Sequence, residues 1–154
     1  MGFSVSAGTA IVLIAAFASV GMLYTTAYNG YEQVQDAHDI DQEQKVATLN
    51  TEIAITNITH NSSTDPHYVN VTATNEGATT LAVNATDFLL NGTYKSDVTY
   101  TITSNGETLT AGAGGTNLWQ PHETLTVTLR ENVTDPLPVK LVTENGVSAT
   151  GVGP

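Results

Sequence analysis

The chain has 154 residues, with 15 Asp plus Glu against four Lys plus Arg, a formal net charge of -11 and no cysteine. Nucleic-acid binding needs a cationic footprint, which is missing here; without Cys, a disulfide framework, a thiol nucleophile and a Cys-based zinc site are excluded too. A surface poor in Lys and rich in Asp, Glu and Thr suits high salt, where charge repulsion is screened within a few Å, so a halophilic source is expected.

No Asp, Glu, Lys, Arg or His precedes Glu32. Val5 to Tyr28 is about 24 residues, or about 36 Å of helix, longer than the roughly 30 Å hydrocarbon core of a bilayer. Residues 1–28 therefore read as a transmembrane anchor that meets membrane lipid through residues 5–28. Two processed alternatives fit less well. Ala16-Phe17-Ala18 resembles a signal cleavage site, but the n-region carries no base and the apolar run continues past it. Gly2-Phe3 is similar to a prepilin junction, but the leader would be Met-Gly alone, and Ala7 stands where the mature N-terminus would carry a glutamate. An uncleaved anchor is expected.

With no Lys or Arg near the span, orientation rests on the acidic flank of Glu32, Asp36, Asp39, Asp41 and Glu43. An uncharged N-terminus inside and an acidic domain outside the cytoplasmic membrane is the better arrangement. Tyr24, Tyr28 and Tyr31 share one helical face at the membrane exit, as an interfacial aromatic belt does; otherwise they merely end the apolar run. Ala15, Ala18 and Ser19, with Gly21, form a small-residue face that lets helices approach in lipid, although an Ala-rich segment also produces it by chance.

Residues 29–50 hold Gln, Glu, Asp, Ala and Val, so the helix is expected to continue as a stalk, with Gly30 its weak point. Val34, Ala37 and Ile40 repeat every three residues and drift around the helix, which argues against a coiled coil.

From residue 51 to 154 the period changes to two. Ile53, Ile55 and Ile58 mark a strand, 61–66 a loop, and Tyr68 to Ala73 the next strand. Leu81 with Val83, Phe88 to Leu90, Val98 to Ile102, Leu125 to Leu129, Val139 to Thr143 and Val147 to Ala149 follow. Asn91-Gly92, Asn105-Gly106 and Asn145-Gly146 mark tight turns. Seven or eight short strands with no helical pattern predict an all-β immunoglobulin-like antiparallel sandwich, without the Cys and Trp hallmarks of antibody domains.

Catalysis is poorly supported, and no catalytic, cofactor or metal residue is assigned. His38, His60, His67 and His122 lack metal-ligand spacing. His60 and His67 flank a loop containing Asp65; this is either a weak surface metal site or, more plainly, a pair of solvated loop histidines. Asp39, Asp41 and Glu43 lack a calcium-loop glycine turn. Ala111-Gly-Ala-Gly-Gly115 reads as a loop rather than a phosphate cradle, since no Lys or helix follows it. No G-x-S-x-G elbow occurs. The chain is not expected to be an enzyme.

Six Asn-x-Ser/Thr sequons, at Asn57, Asn61, Asn70, Asn84, Asn91 and Asn132, all lie beyond the anchor and suggest an N-glycosylated outer surface. Asn61 and Asn91, in loops, are the favoured acceptors. Trp119 is either a cover over the core or an exposed anchor for a partner. Binding is expected at exposed strand edges or loops, by strand addition, and the few Lys leave those edges open to self-association as a homodimer.

The opening Met1-Gly-Phe-Ser-Val-Ser6, the span ending Met22-Leu-Tyr-Thr25, the acidic Gln-rich stalk and the closing Val142-Thr-Glu-Asn-Gly-Val-Ser-Ala-Thr-Gly151 resemble the archaeal flagella (archaellum) protein F family, FlaF/ArlF, haloarchaeal type. The sister family FlaG/ArlG shares this layout. The resemblance implies an uncleaved single-pass membrane protein with an immunoglobulin-like domain outside the cell. It also implies an S-layer glycoprotein and a FlaG-like sister protein as partners, a static role in the rotary motor, and no catalytic motif. The alternatives are an archaellin- or pilin-like filament subunit and an adhesion or ligand-binding surface module.

Overall fold

The computed structural model describes residues 2–112 and 116–154, so Met1 and positions 113–115 of the Gly-rich run lie outside the described residues. Residues 1–43 and 44–154 form two compact units.

The first unit is most of one helix, α1 (Gly2–Leu49, 48 residues). Gly30 does not break it. A helix-interior glycine costs roughly 1 kcal/mol against Ala, and one such cost is small beside the propagation of a helix this long. By length and composition α1 is apolar enough to cross a membrane. Three of its hydroxyls are satisfied within the helix: Thr9 Oγ1 donates to Val5 O (2.9 Å), Ser19 Oγ to Ala15 O (2.8 Å) and Thr26 Oγ1 to Met22 O (2.9 Å). That back-bonding removes the main penalty of carrying Ser and Thr into lipid.

In the second unit the helix ends where Thr51 Oγ1 donates to Ala47 O (2.7 Å) and Asn50 N to Val46 O (3.0 Å). Eleven strands follow among the described residues: β1 (Ile53–Asn61), β2 (Tyr68–Asn75), β3 (Leu81–Ala82), β4 (Asp87–Leu90), β5 (Thr93–Tyr94), β6 (Val98–Ser104), β7 (Glu107–Thr110), β8 (Leu118–Trp119), β9 (Thr124–Arg130), β10 (Leu137–Val142) and β11 (Ser148–Gly153). Seven of the eight expected segments are present as strands; the one expected through Leu81 and Val83 ends at Ala82, and Val83–Ala85 is a 3-10 turn whose closing bond runs from Thr86 N to Val83 O. β5, β7 and β8 are additional, because two-residue strands and an all-exposed strand leave no alternating pattern to read.

One sheet runs β1-β2-β9-β6-β7, the other β11-β10-β4-β5, and β3-β8 is a separate ribbon. The order β1-β2-β9-β6 is the A-B-E-D arrangement of an immunoglobulin sandwich, and β11-β10-β4-β5 is G-F-C-C′. The expected immunoglobulin-like antiparallel sandwich is therefore what forms, and the strand order supplies the topology that periodicity alone left open. Inward alternation builds the core. Val69, Val71 and Ala73 of β2 stand opposite Leu129, Val127 and Leu125 of β9, and Phe88, Leu90, Leu137, Val139 and Leu141 fill it from the second sheet.

The spacing Ile53, Ile55, Ile58 has a structural cause: β1 shifts register between Ile55 and Asn57, and that bulge restores Ile58 to the inner side. Asn91-Gly92 (φ 52° and 74°) and Asn105-Gly106 (φ 49° and 87°) are tight turns with both central residues at positive φ, the form whose twist matches a hairpin.

Candidate functional site

Taken by itself, α1 presents two features. Tyr24 and Tyr28 stack with ring centroids 6.3 Å apart and planes at 21°. Tyr31 Oη accepts from Gln35 Nε2 at 2.7 Å, so the third ring is tied into the polar half of the helix. All three rings are exposed. Ser19 spends its hydroxyl proton on Ala15 O, which leaves Ala15, Ala18 and Ser19 as a small face with no free donor.

On the sandwich, the two long edges differ. β11 packs across β1, with Gly151 and Gly153 against Ile55 and Ile58, and closes that side. The opposite side stays open. All four residues of β7 are exposed, and among the described residues β7 is paired with β6 alone, so there one row of its backbone N–H and C=O groups has no strand partner. β5, also a sheet edge, is exposed at both residues. Leu109 on β7, Tyr94 on β5 and Leu118 on β8 are 44%, 58% and 54% exposed. Edges of this kind template an added strand, and side chains such as these add apolar grip.

The histidines separate. His38 lies on α1, and His122 is an exposed turn residue at φ 67°. His60 and His67 come together instead of standing as solvated loop residues. His60 Nε2 is 3.2 Å from His67 Nδ1, with ring centroids 5.2 Å apart and planes at 50°. The His60 side chain is only 5% exposed, and its Nδ1 lies 2.8 Å from Asp135 Oδ1. His67 Nδ1 is 3.1 Å from Val133 O. Asn132 holds the loop by both ends of its amide: Oδ1 accepts from His67 N (2.9 Å), and Nδ2 donates to Asp65 Oδ1 (3.0 Å). The plainer reading of the sequence fails here because Asp135 and Val133 lie about 70 residues away along the chain, and only the sandwich brings them to the β1–β2 hairpin. Among the described residues, no three His, Cys, Asp or Glu side chains are grouped to hold a metal ion.

The sequons occupy unequal surroundings. Asn57, Asn61, Asn84, Asn91 and Asn132 are exposed, and Asn70 is half-buried. Asn70 lies mid-sheet, accepting from Thr128 Oγ1 at 2.8 Å, and the amide of Asn132 is engaged at both ends.

Trp119 is fully buried, and its Nε1 donates to Glu123 O at 2.8 Å, so it is core and not a partner anchor. Sequence reading missed Tyr100. Its hydroxyl donates to the Thr86 carbonyl at 2.8 Å. Burial, then the charges of Tyr94 and Asp87, push its pKa up to about 12.

The sequence model of the archaeal-type flagellin family matches residues 2–152. No curated protein matches. The solved structures similar to the chain include two archaellum proteins. One is the archaellum periplasmic stator protein FlaG from Sulfolobus acidocaldarius, at 18% identity and a TM-score of 0.41, covering 67% of this chain and 99% of that one. The other is the archaellum periplasmic stator protein complex FlaF and FlaG from the same organism, at 19% identity and a TM-score of 0.37, covering 67% of this chain and 89% of that one.

Proposed function

This chain belongs to the archaeal-type flagellin family, and from that premise we propose that it is a non-catalytic, membrane-anchored stator component of the archaellum motor. In this reading α1 holds the chain in the cytoplasmic membrane. The sandwich lies outside the cell and grips the S-layer glycoprotein, beside a FlaG-like sister protein. A motor that turns a filament needs a fixed reference to take up reaction torque, and an anchored domain bound to a rigid lattice supplies one.

The observation that carries this reading is the lengthwise division of α1. Residues 5–28 are free of charge, and residues 32–43 carry Glu32, Asp36, Asp39, Asp41 and Glu43. A filament subunit stacks its helix among copies of itself, and that would concentrate five carboxylates per chain in a dry core at a large desolvation cost. A single anchor with a wetted stalk avoids that cost. The filament-subunit alternative draws on the family's own description and on the Gly2-Phe3 junction. The exposed edges β7 and β5 are the proposed docking strands for the lattice, the sister protein or a second copy.

The test is intact-mass and N-terminal analysis of protein from native membranes, with and without glycan removal. Residues 1–28 retained in the membrane fraction supports a stator. Loss of Met1-Gly2 together with recovery in sheared filaments replaces it with a filament subunit.

A further inference from the structure

We propose that His60 Nε2, His67 Nδ1 and the carbonyl oxygen of Val133 form a binding site for a divalent transition-metal ion of the Zn²⁺ or Ni²⁺ type, with Asp135 orienting the first imidazole. This site is independent of the motor role.

The spacing carries the assignment. His60 Nε2 and His67 Nδ1 are 3.2 Å apart, and His67 Nδ1 and Val133 O are 3.1 Å apart. Two N or O ligands on one ion, with bonds of about 2.0–2.2 Å at tetrahedral to octahedral angles, stand about 2.9–3.5 Å from each other. Both measured separations are edges of such a polyhedron, and they share a corner at His67 Nδ1. The third donor is a backbone carbonyl, so only two side chains enter the site and water fills the remaining positions. The ring planes meet at 50°, which brings the two imidazoles in from different directions.

The surroundings are those of a held ligand. The carboxylate of Asp135, 2.8 Å from His60 Nδ1, keeps the proton on that nitrogen and leaves Nε2 bare for an ion; metal-bound histidines are ordinarily backed in this way. His67 is fixed through its backbone N–H on Asn132 Oδ1, and Asn132 is fixed in turn on Asp65. The carboxylates of Asp65 and Asp135 add negative charge beside the site. Two nearby cations are engaged elsewhere: Arg130 lies 4.8 Å over the Tyr68 ring, and Lys95 pairs with Glu131 at 2.6 Å. With no ion bound, His67 Nδ1–H donates to Val133 O and faces the bare His60 Nε2, an assignment made from the partners. The ion takes the place of that hydrogen, and His67 becomes the neutral tautomer with its proton on Nε2. A bound ion then ties the β1–β2 hairpin to the segment between β9 and β10, and it stabilises the fold as any ligand of the native state does.

The test uses the full chain in detergent micelles, stripped with a chelator and titrated calorimetrically with Zn²⁺ and with Ni²⁺, with thermal melts alongside. The expected result is one ion per chain and a rise in melting temperature. His67→Gln should abolish both. Asp135→Asn should weaken binding by roughly 10- to 100-fold without eliminating it. His122→Gln, at an exposed turn, should change nothing. His60 is buried, so its replacement risks the fold; His67→Gln is the informative change, with its metal-free melting temperature confirming that the chain is folded. No heat of binding at millimolar metal, or binding that survives His67→Gln unaltered, overturns the site.

Discussion

Gly153 lies so close to Ile58 that a β-carbon at position 153 would stand 2.5 Å from Ile58 Cγ2. This approach lets the last strand of one sheet cover the first strand of the other, and it explains why the closed edge of the sandwich ends in Gly-Val-Gly. The obstacle is the branched γ-methyl of a β-branched residue, which cannot rotate away freely. Gly153→Ala should therefore destabilise the sandwich by about 1–3 kcal/mol. The contact is pairwise, so the two changes should couple: in an Ile58→Ala background the added cost of Gly153→Ala should shrink by at least about 0.5 kcal/mol. Denaturant melts of the four chains measure this, and strictly additive values would show that the crowding lies elsewhere.

Gly77 makes a harder contact. A β-carbon there would meet Asn50 O and Glu52 N, each at 2.5 Å, both of them backbone atoms. The peptide itself is tied down, since Gly77 N donates to Glu52 O (3.0 Å) and Ala78 N to Asn50 O (2.8 Å). Neither side can yield without breaking bonds at the start of the sandwich. Gly77→Ala should cost about 3 kcal/mol, at the upper end for overpacking. Gly8→Ala, with nothing within 4 Å, should leave the melt of the sandwich unmoved.

These two glycines mark where sequence reading ran out. The long apolar helix, its continuation past Gly30 and most of the strands are legible, because an uncharged apolar run and period-two alternation are local signals. The close approaches at 77, 151 and 153 leave no mark in the local sequence, since their partners at 50–58 are distant along the chain. The histidine cluster was half legible. His60 and His67 bracket a hairpin loop and could be paired on paper, but nothing in the spacing pointed to Val133 or Asp135. Trp119 was left open between core and surface, because burial of a lone aromatic depends on a ribbon, β3-β8, too short to carry a pattern.

The six sequons should not be equally used. A transferase needs the asparagine Nδ2 presented free, and that of Asn132 donates to Asp65 while its Oδ1 holds His67 N; Asn61 accepts from Ser63 N through Oδ1 alone. Asn70 is tied to Thr128 in mid-sheet. Glycopeptide mass spectrometry of the native protein should find Asn57, Asn61, Asn84 and Asn91 occupied ahead of Asn70 and Asn132. A dominant glycan on Asn132 would mean that the 132–135 segment opens before folding is complete.

Trp119 is the chain's one tryptophan and is wholly buried, with its indole N–H on the Glu123 carbonyl. Emission should be blue-shifted in the native state and move red in a single step on unfolding, which makes it a reporter for every melt above. Trp119→Ala should cost about 3–5 kcal/mol through the cavity it leaves. Trp119→Phe, which keeps most of the volume and loses only the indole N–H bond to a Glu123 carbonyl that still accepts from Asn75 N (3.2 Å), should cost less. If the two losses were equal, packing would not be the larger part of the contribution.

Alkaline pH should weaken the sandwich through Tyr100. Its hydroxyl donates to Thr86 O, and its pKa rises from 10.0 to about 12, first by burial and then by the charges of Tyr94 and Asp87. Folding therefore favours the neutral phenol. The sign follows from the proton count: between pH 10 and 12 the unfolded chain has lost this proton while the folded chain still holds it. The contribution is complete below pH 10 and declines across that window, levelling off once the folded phenol also ionises. Tyr100→Phe removes the ionisable group, so its stability should fall less steeply between pH 10 and 12. Below pH 10 it should show a constant deficit of about 1 kcal/mol for the lost hydrogen bond. Denaturant melts of both chains at intervals across that range measure the difference, and parallel curves would mean that Tyr100 ionises as readily in the fold as in the free chain.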